Sequence, residues 1–212
     1  MKKFFLFVLM ALVFSSSTYA FDTENHRGFY FYGMGGFMSA AHDTNVRTDQ
    51  EFGNDIELAY GTTFGWNIIN WLAPELQFSY ATTTAEDSSN NTAREHILTI
   101  RLNAKVSFLT GADFNKNHTW KIYPYAKVGG VAHALFVNAS NDDDKVGAWG
   151  GGVGVGGGLE VLYKVLYLGI DISNDLVFLQ EEKNEIAGVN TKIIDGGLSD
   201  QISVMGAVGV HF

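Results

Sequence analysis

Ile202-Ser-Val-Met-Gly-Ala-Val-Gly-Val-His-Phe212 closes the chain and decides how the rest is read. Side chains in a strand alternate between faces with period two. Ile202, Val204, Gly206, Val208, Val210 and Phe212 therefore share one face, and Ser203, Met205, Ala207, Gly209 and His211 share the other. One face is greasy and the other is small or polar. A bare apolar edge of this kind promotes aggregation in water. A barrel that pairs its last strand with its first removes the edge, and a surrounding bilayer accounts for the greasy outer face.

The opposite end of the sequence agrees. Lys2 and Lys3 precede an apolar run, Phe4–Phe14, and then Thr18-Tyr19-Ala20. This is the pattern of a secretory signal peptide with a small-x-small cleavage site. The apolar run falls short of the roughly 20 residues that a spanning helix needs. Residues 1–20 are thus expected to be a signal peptide, and residues 21–212 a single outer-membrane β-barrel domain. No Cys is present, which excludes disulfides and thiolate metal sites.

Composition narrows the class. The chain has 24 Gly, only 2 Pro, 14% aromatic residues and 17% charged residues, against a usual charged share of about 25%. Many close-packed strands with aromatic girdles fit this balance; disorder does not. Removing Lys2 and Lys3 leaves 12 basic residues against 23 acidic ones, a net charge of −11. That balance argues against a nucleic-acid partner, whose phosphates call for Lys/Arg patches.

Seven further segments alternate like the last. They are Gly28–Met38, Asp55–Asn67, Trp71–Thr83, Ala93–Phe108, Trp120–Val137, Val146–Leu162 and Val165–Phe178. Each reaches the roughly 9–11 residues that a tilted membrane strand requires. Pro74 and Pro124 donate no ladder hydrogen bond, so bulges or barrel rims are expected there. Ile68–Asn70 and Tyr163–Lys164 read as short turns. Ser39–Asn54, Thr84–Thr92, Asn138–Lys145 and Leu179–Ser199 read as longer polar loops. Short turns at one end and long loops at the other are the rhythm of outer-membrane barrels. Leu109–Thr119 breaks that rhythm, being long where a short turn is due. The expected fold is an all-β, eight-stranded antiparallel transmembrane up-and-down β-barrel.

The inner phase of these strands carries Glu57, Glu75, Glu160 and Asp171 against Arg101, Lys105, Lys121 and Lys127. Buried charges persist only when paired and hydrogen-bonded. The set predicts an interior ion-pair network that plugs the barrel, since eight strands enclose only enough space for side chains. The alternative is a narrow charged pore for small solutes or ions. Surplus acids fall in the loops: Asp43, Asp49, Glu51, Asp55, Glu86, Asp87, Asp142–Asp144, Glu181, Glu182 and Glu185. They read as a solvated acidic face. Asp142–Asp144 lacks the spacing of a dedicated calcium loop.

Other motifs point nowhere sharper. Gly150–Gly158 lacks the following helix of a dinucleotide fingerprint, and its alternate Val residues mark a strand; inner-face Gly there leaves room for Tyr123 and Tyr125. The 6 His are scattered without an i,i+4 pair, so no metal site is expected; His133 and His211 fall on the inner face. Ser79 and Ser173 are inward hydroxyls, yet no Gly-x-Ser-x-Gly elbow accompanies them. A lipid-modifying barrel enzyme is the remaining alternative. No catalytic residue or cofactor is assigned.

The signal peptide, the GFYFYGMGG stretch from Gly28, the Tyr123-Pro124-Tyr125 start of the fifth segment and the terminal strand ending in Phe212 together resemble the small barrels of the OmpA-type superfamily. The resemblance implies residence in the outer membrane of a diderm bacterium and contact with outer-membrane lipid and lipopolysaccharide. It implies assembly by the barrel-assembly machinery, with Phe212 as the signal read, and a monomer. The resemblance specifies barrel and location rather than function; the expected role is non-enzymatic, structural or in surface interaction. The peptidoglycan-binding domain of longer members has no counterpart in this sequence.

Overall fold

The computed structural model describes residues 27–41, 56–86, 92–108, 120–139, 145–180, 182–186, 189–194 and 197–212. The predicted signal peptide, most of the acidic loop residues and the 109–119 connection lie outside them. Strands β1 (Gly28–Ala41), β2 (Ile56–Asn67), β3 (Leu72–Glu86), β4 (Thr92–Ser107), β5 (Trp120–Ala139), β6 (Lys145–Tyr163), β7 (Leu166–Leu179) and β10 (Gly197–His211) pair antiparallel in that order, β10 following β7 directly in the barrel. β10 closes on β1, giving an eight-stranded barrel.

The closure is staggered. Following registered partners from Tyr30 leads through Gly65, Glu75, Asn103, Gly129, Gly154, Asp175 and Gln201 back to β1 at Ala40, ten residues along the strand. A stagger of this kind tilts the strands by roughly 35–45° and leaves an interior that side chains fill.

One expectation changes. The segment between β7 and β10 is more than a loop: β8 (Glu182–Ile186) and β9 (Val189–Ile194) form a hairpin, with Ile186 paired to Val189. The prolines stand at the barrel rim, one of the two placements expected for them. Pro74 lies one residue outside the last β2–β3 pair, Gly65–Glu75, and Pro124 one residue outside the last β4–β5 pair, Ser107–Tyr125. The ladders end at these positions, so the missing N–H falls where its cost is smallest, and Pro124 O still accepts from Phe108 N at 2.7 Å.

The outside is a membrane surface. Its middle is aliphatic, with Leu102, Val128, Val153, Val155, Ile170, Ile172 and Val208 exposed. Aromatics flank that band. Phe29 stacks on Trp66 at 5.2 Å and Phe31 meets Phe64 at 4.8 Å toward the short turns; Tyr60 meets Tyr80 at 5.7 Å and Phe136 meets Trp149 at 6.0 Å toward the loops. An apolar belt between two aromatic girdles matches the bilayer and its two interfaces.

Candidate functional site

The strand period that turns Leu, Ile and Val outward turns every alternate polar residue inward. The inner wall therefore gathers Glu57, Glu75, Arg101, Lys105, Lys127, Glu160, Asp171 and Asp175, all buried. Solvent barely reaches them: Lys105 and Asp175 are 0% exposed, and Glu75, Arg101, Glu160 and Asp171 are 1% exposed.

Near the short turns, Lys105 on β4 joins two other strands. Its Nζ lies 3.1 Å from Glu75 Oε1 on β3 and 3.0 Å from Glu160 Oε1 on β6. The ammonium also sits 4.1 Å from the centre of the Tyr30 ring, whose negative face attracts it. Tyr30 Oη donates to Glu75 Oε1 at 2.6 Å, and Ser107 Oγ to Glu160 Oε1 at 3.4 Å. Tyr32 stacks on Tyr167 at 4.5 Å, and Tyr30 stacks on His211 at 6.1 Å. Aromatic bodies fill the cross-section while their hydroxyls serve the carboxylates. Glycine makes this fit: a Cβ on Gly65 would strike the Tyr30 ring, and one on Gly158 would lie 2.8 Å from Tyr125 Oη.

One level up, Lys127 Nζ pairs with Asp171 Oδ2 at 2.6 Å and donates to Gln77 Oε1 at 3.0 Å. Tyr125 Oη donates to the same Asp171 oxygen at 2.6 Å. Higher again, Arg101 Nε donates to Asp175 Oδ2 at 2.7 Å and Arg101 Nη1 to Ser173 Oγ at 2.8 Å. Ser173 and Ser203 share a hydrogen bond of 2.8 Å. Gly154 abuts the Asp175 carboxylate, and a Cβ there would collide with it. Toward the loops the lining mixes apolar Met38, Ala81, Ile97, Leu135, Ala148, Val177 and Leu179 with buried Glu57, Thr99, His133, Ser199 and Gln201.

A family model described as outer membrane protein beta-barrel domain matches residues 6–172. The chain belongs to that family. As an outer-membrane barrel it is similar in fold to Neisserial surface protein A, at 14% identity and a TM-score of 0.62 over 87% of this chain and 97% of that one. It is also similar to Ail, the attachment invasion locus protein of Yersinia pestis, solved with the heparin analogue sucrose octasulfate; identity is 8% and TM-score 0.51, over 88% of this chain and 99% of that one. No curated protein matches.

The outer-membrane barrel brings together most of the inner charges expected from sequence, in three separate contacts. Lys105, Glu75 and Glu160 form one, Lys127 and Asp171 the second, and Arg101 the third. Arg101 pairs with Asp175, a residue the sequence reading passed over. Asp175 continues the phase of Asp171 and Ser173, so the signal was there in the period itself. Lys121 differs from expectation: it is half-buried near the start of β5, beyond the packed levels. The buried set is therefore five acids and three bases rather than four of each. Glu57 lies on β2 opposite Met38, toward the loops, and is buried. His133 and His211 are buried on the inner face, the latter 3.1 Å from Asn67 Nδ2. Among the described residues no group of His, Cys, Asp and Glu is arranged to hold a metal ion.

Proposed function

We propose that this outer-membrane barrel is a non-enzymatic surface-interaction protein: a closed, rigid stave cylinder that holds acidic loops at the cell surface. The observation that carries the reading is the near-complete burial of the interior charges, with Lys105 shared between Glu75 and Glu160 under the Tyr30 ring. A water-filled pore would leave such groups solvated. A rigid scaffold bearing loops is the common arrangement for recognition. Ser173, the inward hydroxyl considered for catalysis, is held between the Arg101 guanidinium and the Ser203 hydroxyl, neither of which can take its proton as a general base.

In this reading outer-membrane lipid and lipopolysaccharide surround the barrel, and the barrel-assembly machinery reads Phe212 during insertion. In the folded state Phe212 N donates to Phe29 O at 2.7 Å, at the seam where the barrel closes.

Planar-bilayer recording of the purified protein tests the closed interior. No stable conductance steps are expected; discrete steps that vanish on Arg101→Ala or Lys105→Ala would replace this reading with a channel. Incubation with lipopolysaccharide followed by mass analysis tests the non-enzymatic part. Loss or transfer of an acyl chain would overturn it.

A further inference from the structure

We propose that the outer wall of the barrel at Arg94, His96 and Tyr80 holds a phosphate group of lipopolysaccharide. The inference rests on the reading that lipopolysaccharide surrounds the barrel, and gives that lipid a place on it. The outward row of β4 is apolar from Phe108, just past the strand, through Leu102 to Leu98. Phe108 and Leu98 are ten residues apart. At about 3.3 Å per residue and a tilt of about 40°, that is a rise of about 25 Å, the height of the apolar band. His96 and Arg94 are the next two outward positions. They stand just past the hydrocarbon on the side of the long loops, at the level of the lipid headgroups.

The chemistry at that level suits a phosphate. Tyr80 Oη and His96 Nδ1 lie 2.5 Å apart, and both side chains are half-buried. With the phenol donating to Nδ1, the ring proton sits on Nε2, which is then a donor. Arg94 is exposed on the same face, and no carboxylate pairs with it among the described residues. About 6.6 Å along the strand separates the two positions, a gap that a phosphate accepting from both side chains spans. The planar guanidinium matches phosphate oxygens two at a time. Lys145 opens β6 on the same register row, across Asn138 from Arg94. One acid shares this wall: Glu86, one outward position beyond Thr84, the β3 partner of Arg94.

Charge separates this wall from the one across the barrel. Strand β10 stands opposite β4 in the closed order, and with β7 it presents Asn174 bonded to Asp200 toward the loops. That carboxylate repels a phosphate, and no such group neighbours His96. In a chain of net charge −9, a cationic corner at headgroup height is the exception that an anionic lipid selects. Exposed rings flank it. Tyr60 meets Tyr80 on one side, and Phe136, registered with His96, meets Trp149 on the other. These flat faces suit the sugar that carries the phosphate in lipopolysaccharide, which a glycerophospholipid lacks.

Native mass spectrometry of the detergent-folded protein, titrated with deep-rough lipopolysaccharide, tests the site. The wild type is expected to retain one lipopolysaccharide. Stripping the phosphates from the lipid, or offering phosphatidylglycerol in its place, should weaken retention about fivefold or more. Arg94→Ala and His96→Ala should each do the same, while Lys164→Ala, which removes a cation at the turn end, leaves retention unchanged. Unheated gel mobility confirms that each variant is folded; if one does not fold, the other decides alone. Retention that survives both Arg94→Ala and His96→Ala, or that is equal for phosphatidylglycerol, overturns the site and leaves the lipid-surrounded barrel standing. No retention of lipopolysaccharide by the wild type overturns both.

Discussion

The two ends of the barrel interior are sealed by different chemistry. Toward the short turns the plug is ionic and aromatic: Lys105 between two carboxylates, under tyrosine rings. Toward the loops an apolar cluster, Ile97, Leu135, Val177 and Leu179 packed with Met38, carries most of the packing, with neutral Thr99 and Gln201 and the carboxyl of Glu57 buried on the same wall. An ion pair is demanding, because removing one partner strands a buried charge. An apolar cluster is forgiving, since neighbours can relax into part of the space. The turn end is therefore the specific half of the plug and the loop end the adaptable half.

The largest effect should come from Lys105→Met, which strands Glu75 and Glu160 together; a loss of about 3–5 kcal/mol is expected. Urea unfolding in lipid vesicles, followed by tryptophan fluorescence, measures it. A loss smaller than that of any loop-end variant would break the comparison. Next comes Leu135→Ala at the loop end, with an expected cost of about 2–4 kcal/mol and no conductance, because the ionic level beneath still closes the barrel. Stable current from this variant would show that the apolar half is the true seal.

Tyr30→Phe keeps the ring over Lys105 and deletes the hydroxyl that Glu75 accepts. About 1–3 kcal/mol should be lost, the range for a hydrogen bond to a charged group. The same assay on Tyr30→Phe and Lys105→Met combined should show a cost below the sum, because both act on Glu75. The smallest effect concerns Lys164, which sits at φ 55° in the tight β6–β7 turn. Lys164→Gly relieves that conformation and should stabilise by less than about 1 kcal/mol. A clear loss instead would mean that the Lys164 contact with the Tyr163 ring, 5.6 Å away, outweighs the backbone term.

Much of this was legible beforehand because a strand writes its two faces into alternate residues. Val204 beside Ser203, or Leu102 beside Arg101 and Asn103, declares outside and inside without knowledge of any neighbour. The β8–β9 hairpin was missed because its strands are short and charged, so periodicity had little to work on. Lys121 carried the right phase but stands near the end of its strand, where phase no longer guarantees enclosure.

The sequence by itself determined the class, the strand count of the barrel, the lipid face and which residues turn inward. All of these follow from local alternation and need no long-range information. Only the tertiary structure decided who meets whom inside. Arg101 pairs with Asp175, 74 residues away, and Lys105 bridges Glu75 and Glu160 because the ten-residue stagger of closure brings those levels together. Register round a closed barrel is a global quantity, and no stretch of the chain carries it alone.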